Sequence, residues 1–269
     1  MSRFTSLPTS VRQAITGRRL LKVIAGLTNV DPASVLMIAR AAAGGGADLV
    51  DIACEPALVR VVAEACPQLP ICVSAVDPER FPAAVAAGAA MVEIGNFDAF
   101  YPQGRVFGAA EVLELTRRTR ELLPQVVLSV TVPHVLPLDQ QEQLALDLQA
   151  EGADWIQTEG GTSANPQGSG SLGLIEKAAP TLAAAHGISR ALAAAGPQPA
   201  PVLCASGLSA VTVPMALAAG ASGVGVGSVV NRLGDELAMV AAVRRLREAI
   251  DATTLTRGGP SLVDVNVWP

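Results

Sequence analysis

Eight short apolar runs, each followed by a helical pattern, limit the folds open to this chain more than any other feature. The first four are LLKVIAGLTN (20–29), ADLVDIA (47–53), PICVSAV (70–76) and MVEIGN (91–96). VVLSVTV (126–132), ADWIQTEG (153–160), PVLCASG (201–207) and GVGVGS (223–228) follow. They are rich in apolar and β-branched residues, as strands covered on both faces should be. Asp31-Pro32, Asp77-Pro78 and Val213-Pro214 place proline near helix starts, where its missing N–H costs nothing. Glycines in AAGGGAD, AAGAAMV, AEGADW and AAGASGV close helices just before the next strand. Eight such units form a parallel (β/α)8 barrel, a TIM barrel, more naturally than a doubly wound open sheet. A short helix over 9–16 precedes them, and the tail from about Asp251 to Pro269 reads as irregular. That tail either closes the barrel floor or meets another copy of the chain, which leaves homo-oligomerisation open. No linker divides residues 1–269, so a single domain is expected.

Composition agrees. The 269 residues lie close to the roughly 250 typical of such barrels. Half are hydrophobic but only 3% are aromatic, so the core is built from Ala, Val, Leu and Ile. The formal charge of -5 argues against nucleic acid as the main partner. It says little against a small anion, which answers to the local field of its site. No apolar run reaches the ~18 residues of a membrane span. Arg18-Arg19 before an apolar stretch imitates an export signal, but Thr28-Asn29 breaks the stretch and no cleavage site follows. Cys54, Cys66, Cys72 and Cys204 form no CxxC pair and read as buried thiols in a reducing, cytoplasmic compartment.

In this fold, ligands sit at the carboxyl ends of the strands. The seventh run ends Ala205-Ser206-Gly207 and the eighth reads Gly223 through Gly225 and Gly227 to Ser228. Glycine there lets main-chain N–H groups approach an anion, and strands seven and eight are where barrels usually place a phosphate. The plainer alternative is that these glycines only let helices pack close. Period-two alternation puts Lys22, Asp51, Ser74, Glu93, Ser129, Thr131, Gln157 and Glu159 inside the barrel. Lys22, Asp51 and Glu93 read either as a structural ion pair on the barrel floor or as a Schiff-base amine flanked by carboxylates. A divalent metal on Asp51, Glu93 and Glu159 has no spacing motif behind it, so no metal is expected.

Other candidates follow strand ends. The segment Asn96-Phe97-Asp98-Ala99-Phe100-Tyr101 trails strand four, and His134 follows strand five in TVPHVLP. A histidine there is placed to exchange protons near neutral pH. His186, inside a helix, reads as structural. Glu159-Gly160-Gly161-Thr162-Ser163 opens a long polar loop of the kind that usually carries function. A GxGxxG at Gly168 to Gly173 is off the strand end and lacks its acidic partner, which rules out a dinucleotide fold. P-loop, HExxH and nucleophile-elbow motifs are missing from the sequence.

Several of these segments carry a resemblance. EIGNFDAFYPQGRVF, LSVTVPHVLPLDQQ, WIQTEGGTSANPQGSGSLGLIEKAAPTLAAA and VLCASGLSAVTVPMALAAGASGVGVGSVVN resemble the uncharacterised plastid and cyanobacterial family called hypothetical chloroplast open reading frame twenty-three, or domain of unknown function five-six-one. The similarity spans about Leu20 to Ile250. It implies a phosphate-binding barrel in a phototroph's cytoplasm or plastid stroma and brings no established activity. It adds weight to Asn96, Tyr101, His134, Glu159, Gly160, Gly161 and Thr162 as site residues.

Three readings follow. One is a lyase, isomerase or synthase acting on a small phosphorylated metabolite, with Lys22, Asp51, Glu93, His134 and Glu159 supplying acid, base or amine. Asn96, Tyr101, Gln157, Gly160, Gly161, Thr162, Ser206, Gly207, Gly225, Gly227 and Ser228 would then hold the ligand. The second is an oxidoreductase carrying flavin mononucleotide (FMN), whose phosphate would occupy the same strand ends. The third is a barrel without turnover that binds a metabolite or a partner protein in regulation, with ligand at strands seven and eight while Lys22, Asp51 and Glu93 are sealed from solvent.

Overall fold

The computed structural model describes residues 3–162 and 164–257. Every apolar run becomes a strand: β1 (Leu20–Gly26), β2 (Leu49–Ala53), β3 (Ile71–Ala75) and β4 (Met91–Ile94). β5 (Val127–Thr131), β6 (Trp155–Gln157), β7 (Val202–Ala205) and β8 (Gly223–Val226) complete the set. They follow one another around a closed barrel, and β8 pairs in parallel with β1. The chain is therefore a TIM barrel.

The helices are α1 (Thr9–Thr16), α2 (Pro32–Gly45), α3 (Pro56–Ala65), α4 (Phe81–Ala86) and α5 (Ala109–Leu122). α6 (Leu138–Ala150), α7 (Gly170–Ala195), α8 (Val213–Ala218), α9 (Ser228–Asn231) and α10 (Glu236–Arg257) continue around the outside. Asp31 caps α2 by accepting the Ser34 N–H, with Pro32 in the first turn, as the sequence signature requires. Gly45 lets α2 and α10 approach, because a Cβ there would lie 2.4 Å from that of Val243. No helix among the described residues is long and apolar enough to cross a membrane.

α1 has a specific job. Its Val11 and Ala14, with Leu7, pack beneath the lowest interior layer, which includes Leu20, Leu49, Met91, Trp155 and Leu203. This plug closes the amino-terminal end of the barrel. A second core fills the space between strands and outer helices. All four cysteines are free and buried.

Three details differ from the sequence expectation. β6 ends at Gln157 rather than at residue 160, and the chain turns away at Gly160 with φ 124. Two 3-10 turns, Phe97–Ala99 and Tyr101–Gln103, separate β4 from α5. α10 runs to Arg257, past the point where the helical pattern was expected to end. The proposed role of the final tail in closing the floor or meeting another copy falls on residues 258–269, outside the described residues.

Candidate functional site

Register stacks the interior polar residues. Ser74 pairs with Glu93 across β3 and β4, Glu93 with Ser129 across β4 and β5, and Thr131 with Gln157 across β5 and β6. Lys22 rises among them, with its Nζ 2.6 Å from Glu93 Oε2 and 3.4 Å from Asp51 Oδ2. Ser74 Oγ donates to Asp51 Oδ1 at 2.6 Å, and Ser129 Oγ donates to Glu93 Oε2 at 2.7 Å. Gln157 Nε2 donates to Glu93 Oε1 at 2.7 Å. The side chains of Lys22, Asp51 and Glu93 are at most 1% exposed. Burial alone would push the Lys22 pKa down, but the Glu93 and Asp51 carboxylates outweigh it, so the ammonium is held more firmly than usual. Burial pushes Asp51 up to about 7, against the pull of Lys22 and with help from the negative charge of Glu93.

A second polar group forms nearer the mouth, from the loops after β4, β5 and β6. Glu159 Oε1 accepts the Tyr101 hydroxyl at 2.5 Å and the His134 main-chain N–H at 3.2 Å. His134 Nδ1 lies 3.2 Å from the same oxygen and 3.4 Å from Asp98 Oδ1. The Asp98 main-chain N–H donates to Glu159 Oε2 at 3.2 Å. Asp98 Oδ2 in turn accepts the Ser206 hydroxyl at 2.9 Å, and Ser206 Oγ accepts the Thr162 N–H at 3.1 Å. Burial raises the Glu159 pKa despite its bonds from His134 and Tyr101. Burial also opposes charge on His134, yet the hydrogen bond and charge of Glu159, with the charge of Asp98, raise its pKa above 6.5. Tyr101 is pushed up by burial and by Glu159.

A cavity of about 220 Å³ lies at this carboxyl end, between the Asp98 turn and the ends of β7 and β8. Asn96, Asp98, Thr162, Ser206, Gly207, Gly227 and Ser228 line it. Among the described residues, Asp98 is the one ionisable residue in that lining. The N–H groups of Gly207, Leu208, Ser228 and Val229 donate to no acceptor among the described residues. Gly207 has φ 76, and a Cβ on it would lie 2.8 Å from Gly161 Cα and 2.9 Å from Lys177 O.

The sequence candidates thus divide. Asn96, Thr162, Ser206, Gly207, Gly227 and Ser228 share the cavity. His134, Glu159 and Tyr101 stand behind Asp98 rather than in the lining. Lys22, Asp51, Glu93 and Gln157 lie deeper, linked to the cavity only through Asn96, whose Nδ2 reaches Asp51 Oδ2 at 3.5 Å. Gly225 faces the barrel interior, where a Cβ would meet that of Ala205 at 2.8 Å. Gly160 and Gly161 serve close approach, to His134 and to Gly207 respectively. Asp98, Asn231, Thr28 and Thr158 are polar lining residues that sequence reasoning passed over. Asp98 sat inside a quoted strand-end segment, and an acid directly after a strand was the available signal. Asn231 is tied by its Nδ2 to Ile24 O at 2.9 Å, a contact spanning most of the chain.

Two groups of three side chains bring possible metal ligands within 4.8 Å of one another: Asp51, Cys72 and Glu93, and Asp98, His134 and Glu159. In the first, Lys22 is already paired with both carboxylates. In the second, both Glu159 oxygens are engaged by donors. The combination of Asp51, Glu93 and Glu159 weighed from the sequence is split between the two groups.

Comparison with known proteins places the chain in a family. The family described as "Protein of unknown function (DUF561)" matches residues 7–256, and the chain belongs to it. "Uncharacterized protein ycf23" of Cyanophora paradoxa is 40% identical over 238 residues, covering 88% of this chain and 95% of that one. Among solved structures, the thiamine phosphate pyrophosphorylase from Pyrococcus furiosus aligns with a TM-score of 0.56 at 16% identity. That alignment covers 88% of this chain and 98% of that one. (S)-3-O-geranylgeranylglyceryl phosphate synthase from Thermoplasma acidophilum, in complex with its substrate sn-glycerol-1-phosphate, aligns with a TM-score of 0.59 at 12% identity. It covers 90% of this chain and 97% of that one. At such identities the likeness concerns the barrel.

Proposed function

We propose that the chain is an enzyme acting on a small phosphorylated metabolite, moving a proton to or from carbon as a lyase, isomerase or synthase would. This reading rests on one juxtaposition. The unpaired amides of Gly207 and Ser228 border the same cavity as Asp98, which is backed by His134 and Glu159. Amides and hydroxyls hold the phosphate at the ends of β7 and β8. Asp98 is the group that touches substrate, as general base or acid. His134 and Glu159 act through Asp98, with Tyr101 fixing Glu159. Barrel neighbours named for work on phosphorylated compounds support the same class.

In this proposal Lys22, Asp51 and Glu93 are structural. A Schiff-base amine must be neutral and reachable, whereas Lys22 is charged, paired and sealed. Flavin mononucleotide is disfavoured, because a cavity of about 220 Å³ lies below the ~300–1,000 Å³ range of drug-sized and cofactor sites and suits a phosphate ester smaller than either. Colourless protein with no flavin absorbance is the expected result. The four buried thiols suit a reducing compartment such as plastid stroma or a phototroph's cytoplasm.

The test is deuterium uptake. Small sugar phosphates that raise the Tm are incubated with protein in D2O, and carbon-bound exchange is read by NMR. Exchange by the native chain, slowed about 10²–10⁴-fold by Asp98→Asn, is the predicted result. One observation favours a second reading, a metabolite-binding barrel without turnover: the Lys22 cluster is sealed, as that reading requires. Compounds that bind yet never exchange would select it.

A further inference from the structure

Among the described residues, the lining of the carboxyl-end cavity offers hydroxyls and main-chain N–H groups but no cationic side chain. Its one ionisable group, Asp98, is acidic. A phosphate ester brings about 1.5 to 2 negative charges at pH 7, and a carboxylate in the same cavity repels them. A cation beside the amides would offset that repulsion.

α7 places one there. Thr181 Oγ1 donates to Ala205 O at 2.5 Å, so this face of the helix sits against the last residue of β7. Lys177 lies four residues earlier, about 6 Å along the helix axis on the same face. That step leads toward the carboxyl end of the barrel, to the turn that leaves β7. There a Cβ on Gly207 would lie 2.9 Å from Lys177 O and 3.2 Å from Lys177 Cγ. Beyond that carbon, two more methylenes and the ammonium extend on a flexible stem.

The Lys177 side chain is otherwise unengaged. It is half-buried and makes no hydrogen bond or ion pair among the described residues. Its neighbour Glu176 is occupied elsewhere, accepting the main-chain N–H groups of Gln167 and Gly168, each at 2.7 Å. The chain's other lysine, Lys22, is sealed inside the barrel.

We infer that Lys177 is the charge partner of the bound phosphate, its ammonium reaching over Gly207 to the oxygens held by the Gly207 and Leu208 amides. A lysine ammonium is a compact charge with three rotatable donors, which suits an anion whose remaining oxygens are bound by amides. The inference rests on the anion site proposed above and assigns its cation. It also narrows the ligand, because a dianionic phosphate ester gains more from one ammonium than a carboxylate or a neutral sugar does.

Inorganic phosphate is the probe, titrated into the full chain at fixed ionic strength and read by amide NMR. The Gly207 and Leu208 signals should move and saturate. Lys177→Met should weaken that binding by about tenfold or more, with Lys177→Gln as the neutral variant if the first does not fold. Lys177→Arg keeps the charge and should retain most of the affinity. A second readout needs no variant. With Lys22 sealed, Lys177 is the lysine open to acetic anhydride, and phosphate, unlike chloride of equal ionic strength, should slow its acetylation severalfold by mass spectrometry. Unchanged affinity in a folded neutral variant, or acetylation that phosphate does not slow, overturns the inference, while saturating shifts at Gly207 leave the anion site standing. If the native chain shows no such shifts, the site and the inference fail together.

Discussion

Lys22 Nζ lies 2.6 Å from Glu93 Oε2 inside the barrel, and neither side chain is more than 1% exposed. Asp51, Ser129 and Gln157 complete the pairing, so the ammonium and carboxylates are satisfied without water. Such a cluster specifies an interior arrangement at little net gain, but removing one partner strands the others. Lys22→Met should therefore cost about 3–5 kcal/mol, a fall in Tm on the order of 10 °C. Adding Glu93→Gln should recover part of that loss. Borohydride treatment with carbonyl substrates should leave Lys22 unmodified, and an adduct there would return it to the chemistry.

The same cluster predicts a pH dependence. Asp51 titrates near 7 in the fold against an ordinary value of 3.8, so the folded chain binds its proton more tightly. Its contribution to stability is fullest below the ordinary value and fades as pH rises through about 7. Thermal melts across that window should show a decline in Tm that Asp51→Asn makes shallower.

His134 is held above its ordinary value of 6.5 by Glu159 and Asp98 against the effect of burial. Its contribution to stability is present below that value and is lost as pH rises past its pKa in the fold. Glu159→Gln removes the main attraction and leaves burial in place, so the His134 pKa should drop. NMR titration can follow this directly, because the chain has only two histidines. An unchanged value would mean that the two side chains do not interact in solution.

Gly207 combines φ 76 with a main chain pressed against Gly161 and Lys177 O. Gly207→Ala should destabilise by about 1–3 kcal/mol through backbone strain and weaken phosphate-ester binding. Ser228 is exposed and carries no such strain. Ser228→Asp should leave Tm unchanged while repelling phosphate, which separates binding from folding.

The barrel was legible because the strands are short, mostly apolar runs, several of them preceded by a helix-closing glycine such as Gly46, Gly88, Gly152 or Gly220. The inward set was legible from alternation once polar residues were taken to face the interior: Ser74, Glu93 and Ser129 share one register row, and Thr131 pairs with Gln157 in the next. Depth was not. Whether an inward side chain meets the cavity depends on how far up the barrel it starts and on what covers it. Lys22 pairs with Gly225 low in the barrel and ends beneath Asn96, a height that no local pattern encodes. Asp98 escaped notice for a related reason. Its place is set by a 3-10 turn and by contacts with His134, Glu159 and Ser206, all distant in sequence. Gly225 shares a strand face with Gly227, but it lies two residues lower, against Ala205 rather than at the cavity.

Backbone amide NMR during titration with a small sugar phosphate that raises the Tm reads the anion site most directly. The N–H signals of Gly207, Leu208, Ser228 and Val229 should move together and saturate, while those of Arg190 and Ala193, near the far end of α7, stay still. Shifts confined to other parts of the barrel, or none at concentrations that raise the Tm, would contradict a phosphate held by the last two strand ends.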